Sequence, residues 1–172
     1  MTITTKRLTL RPFSVRDWKT TYAYTSDPEI SRYMPVLHNQ TKRGTKHFLK
    51  HCEQQWKSGD VQERYDFAIL LDGQHIGSVA VTRRGDGQGE LGWIISRKYW
   101  GHGYATEAAK AVLDFARNTL GMKIISARCD ARNTASVRIM EKLGMMLEDD
   151  TRTRRYPGSD EDVPELVYIL KS

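Results

Sequence analysis

Cysteine is nearly absent from this chain, with only Cys52 and Cys129 among 172 residues. They stand in neither a C-x-x-C pair nor a disulfide-dense context, which predicts two reduced thiols in a cytoplasmic protein and no structural zinc. Long apolar runs are missing too: none approaches the ~18 residues of a membrane span. The opening MTITTKRLTLRPF carries charges where a signal peptide needs an apolar stretch. Histidine is sparse, and among His38, His47, His51 and His75 only His47 and His51 fall at i and i+4. Without a third ligand they predict a solvated helix face and no metal site. There is no internal repeat, no low-complexity segment and no linker.

What is present is one ordinary domain's worth of chain, so a single domain over residues 1–172 is expected. Hydrophobic residues make up 39% and charged residues 28%, a globular composition. The 27 Lys+Arg against 21 Asp+Glu give a net charge of +6, which points to anionic partners. The basic residues are mostly scattered among acids, and no specific nucleic-acid contact is expected from them. The one dense cluster, RTRR at Arg152 to Arg155, reads either as a solvated strand or as a contact to an anionic substrate or ribosomal RNA.

The local patterns predict a mixed sheet with helices on its faces. LTLRPFS reads as a first strand ended by Pro12, and Ser14 with Asp17 as an acidic capping box opening a helix through Trp18 and Tyr22. Asp27-Pro28 is a break. A second helix from Thr41 to Lys57 carries Phe48, Leu49, Cys52 and Trp56 on one stripe and ends at Gly59. YDFAILL and HIGSVAV flank an Asp72-Gly73 turn and predict an antiparallel pair. After the polar loop RRGDGQG, ELGWIIS (Glu90 to Ser96) reads as a central strand. Ala105, Ala108, Ala109, Val112, Ala116 and Leu120 then recur at three and four, with Gly121 as the closing glycine. KIISARC is a further strand, parallel to ELGWIIS by the crossover rule. ASVRIMEKLG is a short helix closed by Gly144, and TRTRRY and LVYIL are two last strands.

Between strand and helix lies YWGHGYATEA. A glycine loop feeding a helix aims unpaired backbone N–H groups and the positive end of the helix dipole at one point, and anions bind there. Gly101 and Gly103 permit φ > 0 and remove the Cβ atoms that would hold a phosphate away. A nucleotide P-loop is disfavoured, since no Gly-Lys-Ser/Thr follows. A dinucleotide fold needs a third glycine where Thr106 stands, and ninety residues precede the unit. Coenzyme A pyrophosphate is the third reading.

ELGWIISRKYWGHGYATEA, followed by ARNTASVRIMEKLGM, resembles the GNAT superfamily of acetyl-CoA-dependent N-acetyltransferases, and within it the RimJ/RimL-like branch. The resemblance runs from TKRLTLRPFSVRDW to VPELVYIL. It implies the α/β acyl-CoA N-acyltransferase fold, a mixed, mostly antiparallel sheet with helices on both faces. It also implies a loop from Tyr99 to Thr106 (Gly101, His102, Gly103, Tyr104, Ala105, Thr106) that wraps the pyrophosphate by its N–H groups. Lys98 stands where the family has Gln or Arg. Trp93, Ile94 and Ile95 would present backbone to pantetheine, Asn133 would contact the cofactor, and Ser136 would lie near its sulfur.

Acetyl transfer requires a neutral amine, a polarised thioester carbonyl and a proton for the departing thiolate. An α-amino group, with a pKa of about 7.7–8, is partly neutral near pH 7, whereas a lysine at about 10.4 is not. Glu90 is the candidate base. Ser136 is the candidate acid with Tyr156 in reserve, and an N–H around Ile94 or Ile95 would polarise the carbonyl. The expected reaction is acetyl transfer from acetyl-CoA to a primary amine, with a protein N-terminus of the ribosomal type as acceptor. Small amines, amino acids or antibiotics, and a noncatalytic acyl-CoA-binding module, are the alternatives. Whether the chain forms a homodimer is left open by the sequence.

Overall fold

The computed structural model describes residues 1–34, 37 and 41–171; His38 lies outside the described residues. The sheet is built around one hairpin. β3 (Arg64–Leu71) and β4 (Gln74–Arg83) pair antiparallel across a turn in which Asp72 and Gly73 both take positive φ, 48° and 78°. Two left-handed residues match the right-handed twist of the strands they join. β2 (Leu8–Pro12) adds to the outer side of β3, and the two-residue β1 (Ile3–Thr4) pairs with β2.

On the other side β5 (Gln88–Ile95) pairs antiparallel with β4, and β6 (Ile124–Asp130) then pairs parallel with β5. Between them runs α4 (Tyr104–Asn118), the long connection that a parallel pair requires. The last two strands, β7 (Met146–Arg155) and β8 (Asp162–Lys171), enter in reverse, giving the order β1-β2-β3-β4-β5-β6-β8-β7. All neighbours are antiparallel except β5 and β6.

Helices cover both faces. On one, Phe67, Ile69, Val79, Val81, Leu91 and Ile95 pack beneath Ala108, Val112 and Ala116 of α4 in the main core. α5 (Thr134–Lys142) joins that face through Met140. On the other, α3 (Lys42–Ser58) sets Leu49 and Cys52 against Phe13 and Ala68. The capping chemistry is the expected one at both ends of α3: the Thr41 hydroxyl accepts from Gly44 N–H, and Gly59 closes the helix at φ 72°. Of the predicted stripe, Phe48 is the exception, at 41% exposure.

Ser14 and Asp17 form the capping box, first over a single 3₁₀ turn, after which α1 (Trp18–Thr25) begins. The Asp27-Pro28 break is itself a cap: the Asp27 carboxylate accepts from Glu29 N–H and starts a four-residue helix, α2 (Pro28–Ser31). Both cysteines are free thiols in the interior. Among the described residues no helix is long and apolar enough to cross a membrane, and no group of His, Cys, Asp and Glu could hold a metal ion.

Candidate active site

β5 and β6 are joined only over Gln88, Gly89 and Glu90, which pair with Ile124, Ile125 and Ser126. From Leu91 to Ile95 β5 remains bonded to β4 but has parted from β6, so the centre of the sheet opens as a fork with Glu90 at its apex. Backbone alternation decides which groups line that fork. Ser96 N–H donates to Ile76 O on the β4 side, and a Cβ at Gly77 would collide with Ile94 O. The amides of Ile94 and Ser96 therefore face β4. Those of Trp93 and Ile95 face the fork, and Ile95 O there accepts from Trp100 Nε1 at 2.7 Å.

This corrects one expectation. Ile94 cannot present its backbone to a ligand in the fork; its side chain packs with Tyr24, Ile30, Met34 and Leu37 on the α1/α2 side. Of the three residues, Trp93 and Ile95 are those whose amides face the fork.

At the open end of the fork lies the glycine loop. Gly101 and Gly103 take φ 81° and 77°, a region that costs an L-residue roughly 1–2 kcal/mol. A Cβ at Gly101 would meet open space, and one at Gly103 would reach only Arg7 Nη2, at 3.6 Å. The glycines are thus required by the backbone conformation and leave a bare cradle that side chains would fill. Gly103 caps α4 with no side-chain hydrogen bond, and the first intrahelical bond is Glu107 N–H to Gly103 O. The N–H groups of Tyr104, Ala105 and Thr106 precede that bond and have no helical acceptor. With the helix dipole, these amides make this end of α4 favourable to an anion.

The loop's other residues fall into place around it. The His102 ring stacks on Tyr104 and its Nδ1 bonds Trp100 O at 2.8 Å, contacts that orient the ring within the loop. A carbonyl only accepts, so Nδ1 carries the proton. Lys98 lies with its Nζ 4.8 Å from the centre of the Tyr99 ring, and Tyr99 OH donates to Gln74.

β5 and β6 are parallel, so the helix that follows each starts at the same end of the sheet, and α5 begins on the fork's other arm. Its cap is Asn133, whose Oδ1 accepts from Ser136 N–H at 3.2 Å. This fixes Ser136 in the first turn with its hydroxyl half-exposed. Asp130, at the end of β6, is fully buried and holds the approach to α5: it accepts from Arg132 N–H, from the Arg132 guanidinium and from Tyr156 OH at 2.9 Å. Burial would raise the Asp130 pKa, but those donors outweigh it and bring it down to about 2. The Tyr156 phenol moves the opposite way, pushed up to about 12 by burial and by its bond to that carboxylate. Its proton is held by Asp130, which leaves it a weak acid.

Glu90, at the apex, accepts from Arg84 Nε at 2.9 Å and from Arg128 Nη2 at 2.5 Å, both on Oε2. Burial would raise its pKa, yet the two guanidinium groups hold it below the usual carboxylate range. Sequence reasoning missed Arg84 and Arg128, because only the register of β4, β5 and β6 brings them to Glu90. It also missed Arg7 and Thr5, which bond Glu107 from the β1–β2 turn. The RTRR cluster is largely neutralised in place: Arg152 pairs with Asp149, Arg154 with Glu165 and Arg155 with Asp162.

Comparison with known proteins agrees with this geometry. Residues 7–146 match the family model described as an acetyltransferase (GNAT) domain. The chain is 34% identical over 151 residues to the uncharacterised N-acetyltransferase YnaD of Bacillus subtilis (strain 168), covering 86% of this chain and 84% of that one. Among solved structures, an acetyltransferase (GNAT family) from Bacillus anthracis superposes with a TM-score of 0.86 at 29% identity, covering 99% and 98% of the two chains. RimL, a ribosomal L7/L12 alpha-N-protein acetyltransferase solved in complex with coenzyme A, shares the fold at a TM-score of 0.83 and 14% identity, covering 99% and 98%. A sheet forked beyond Glu90, a glycine loop with open helix-end amides at its mouth and a family match over most of the chain lead to one conclusion: the protein belongs to the GNAT acetyltransferases and takes its acetyl group from acetyl-CoA.

Proposed function

We propose that the chain transfers acetyl from acetyl-CoA directly to a primary α-amine, with a protein or peptide N-terminus as the acceptor class. The observation that carries the reading is the fork itself, which opens beyond Glu90 between a diphosphate cradle at its mouth and an anionic carboxylate at its apex. With the diphosphate on the amides of Tyr104 to Thr106, pantetheine runs inward along β5, in place of the missing β6 ladder. The Ile95 N–H bonds its amide chain. The Trp93 N–H, one strand repeat deeper, meets the thioester oxygen and stabilises the negative charge that develops there.

The amine attacks the thioester carbon, the C–N bond forms and the carbonyl electrons move to oxygen. Collapse of that intermediate expels the thiolate, which takes a proton from the Ser136 hydroxyl while water restores it. The proton shed by the amine goes to Glu90, directly or through water. A carboxylate clamped by two arginines is a weak base, and this is why an α-amine suits the site better than lysine. At pH 7 a lysine costs about 4.6 kcal/mol to neutralise, an α-amine about 1. RimL, a ribosomal L7/L12 alpha-N-protein acetyltransferase, acts on an acceptor of the same chemical class.

Free-thiol release from acetyl-CoA, measured across peptides of varied N-terminal residue, lysine side chains, free amino acids and aminoglycosides, tests the reading. Peptides with a free α-amine should turn over at least about tenfold faster than N-terminally blocked, lysine-containing ones at pH 7. Turnover confined to small amines would replace the acceptor class, and turnover on none would leave an acyl-CoA-binding module.

A further inference from the structure

We propose that Arg7 is a positioning residue of the cofactor loop, shaping the diphosphate cradle and cancelling an acid that would otherwise repel the ligand. The inference rests on the reading of the Gly101–Thr106 loop as the diphosphate site.

Arg7 lies in the turn between β1 and β2, 95 positions before the loop carbonyl it binds. The turn is rigid: Thr5 N–H donates to Leu8 O at 2.9 Å, and Leu8 N–H to the Thr5 hydroxyl at 2.9 Å. It is clipped to the first turn of α4 by Glu107, which accepts from Thr5 Oγ1 at 2.7 Å, Arg7 N–H at 2.9 Å and Arg7 Nε at 2.7 Å. From that anchor the guanidinium lies 4.6 Å over the Tyr104 ring and donates Nη1 to His102 O at 2.9 Å. The Nη2 atom is left beside Gly103.

Each contact has a consequence for an anion at the loop. Binding His102 O to Arg7 holds the carbonyl just before Gly103 on the guanidinium, away from the cradle that the loop's N–H groups line. Glu107 stabilises the α4 dipole in the free protein, but a carboxylate in the first turn repels a diphosphate bound at the same helix end. Arg7 neutralises that charge, and its Nη2 adds a cation at the rim. A brace needed only for folding could sit anywhere along α4. This one is fastened to the residues that form the cradle.

The test compares two acetyl donors, acetyl-CoA and S-acetylpantetheine, which lacks the diphosphate. Wild type should favour acetyl-CoA. Arg7→Ala should raise KM for acetyl-CoA about tenfold or more, leave kcat within about twofold, and leave kcat/KM for S-acetylpantetheine unchanged. Arg7→Ala with Glu107→Gln should recover most of the lost affinity, because the uncompensated acid is gone, and Arg7→Lys should fall between Ala and wild type. Equal losses on both donors, no loss at all, or a double variant no better than the single one would each overturn the role of Arg7. Should Arg7→Ala fold poorly, judged by its unliganded melting temperature, Arg7→Lys and Glu107→Gln carry the same comparison. A wild type that does not distinguish the donors would instead remove the diphosphate reading of the loop.

Discussion

α4 and α5 begin at the same end of the sheet, on the two arms of one fork, and their N-termini are built in opposite ways. The start of α5 is saturated: Asn133 caps Ser136 N–H, and Asp130 gathers Arg132 and Tyr156 into the approaching turn. The start of α4 is bare, with a left-handed glycine as cap, no side-chain acceptor and three amides open. α3 shows that this chain supplies a side-chain cap readily, and such a cap contributes about 1 kcal/mol. Leaving α4 without one forgoes that stability in the free protein, and under the proposed function the diphosphate supplies it instead. One helix end is finished by the protein and the other is left open.

The largest expected effect comes from blocking the end that is open. Gly103→Trp places a side chain in the cradle at φ 77°, and acetyl-CoA should then no longer raise the melting temperature. The unliganded variant should lose roughly 1–2 kcal/mol for the left-handed backbone alone. Differential scanning fluorimetry with and without acetyl-CoA reads both quantities. An undiminished ligand shift would show that the bare helix end does not hold the cofactor.

Most of this contrast was legible in the sequence, because it is written in neighbouring residues. The glycine pair, the alanine stripe after it, N-x-x-S before α5 and the Ser14, Thr41 and Asp72-Gly73 signals are local, and each gave the predicted element. What was not legible depends on pairing across the fold. The insertion of β8 between β6 and β7, the loss of β5–β6 pairing after Glu90, and the strand parity that separates Trp93 and Ile95 from Ile94 are set by register. The same holds for Glu90's arginines and for Arg7 on Glu107, contacts made by residues distant in sequence. The contact between the turn after α2 and β7, Arg154 Nη1 on Tyr33 O, has no sequence motif of its own either.

A smaller effect is expected at the saturated end, at Ser136, the proposed proton donor to the thiolate. Ser136→Ala keeps the Asn133 cap, which uses only the backbone N–H, so stability and acetyl-CoA affinity should stay within about twofold. Loss of the proton donor should lower kcat by about a hundredfold. Steady-state kinetics beside equilibrium binding of acetyl-CoA separate the two. Parallel losses in kcat and affinity would make Ser136 a binding group and α5 a second ligand-finished helix.

The smallest effect concerns the turn that saturates α5. Tyr156→Phe removes one donor from Asp130 and should cost about 1 kcal/mol at pH 7. For a carboxylate the folded pKa of about 2 lies below the unfolded value of about 3.9. Its stabilisation is therefore complete above about pH 5 and is lost as pH falls through about 2. The gap between wild type and Tyr156→Phe should narrow over that same interval, read by urea unfolding at pH 7, 4 and 3. Turnover should change by no more than about threefold, because a phenol held by a buried carboxylate is a poor proton donor to a thiolate. A drop in kcat as deep as that of Ser136→Ala would move the acid to Tyr156 and turn the saturated turn of α5 from scaffold into catalyst.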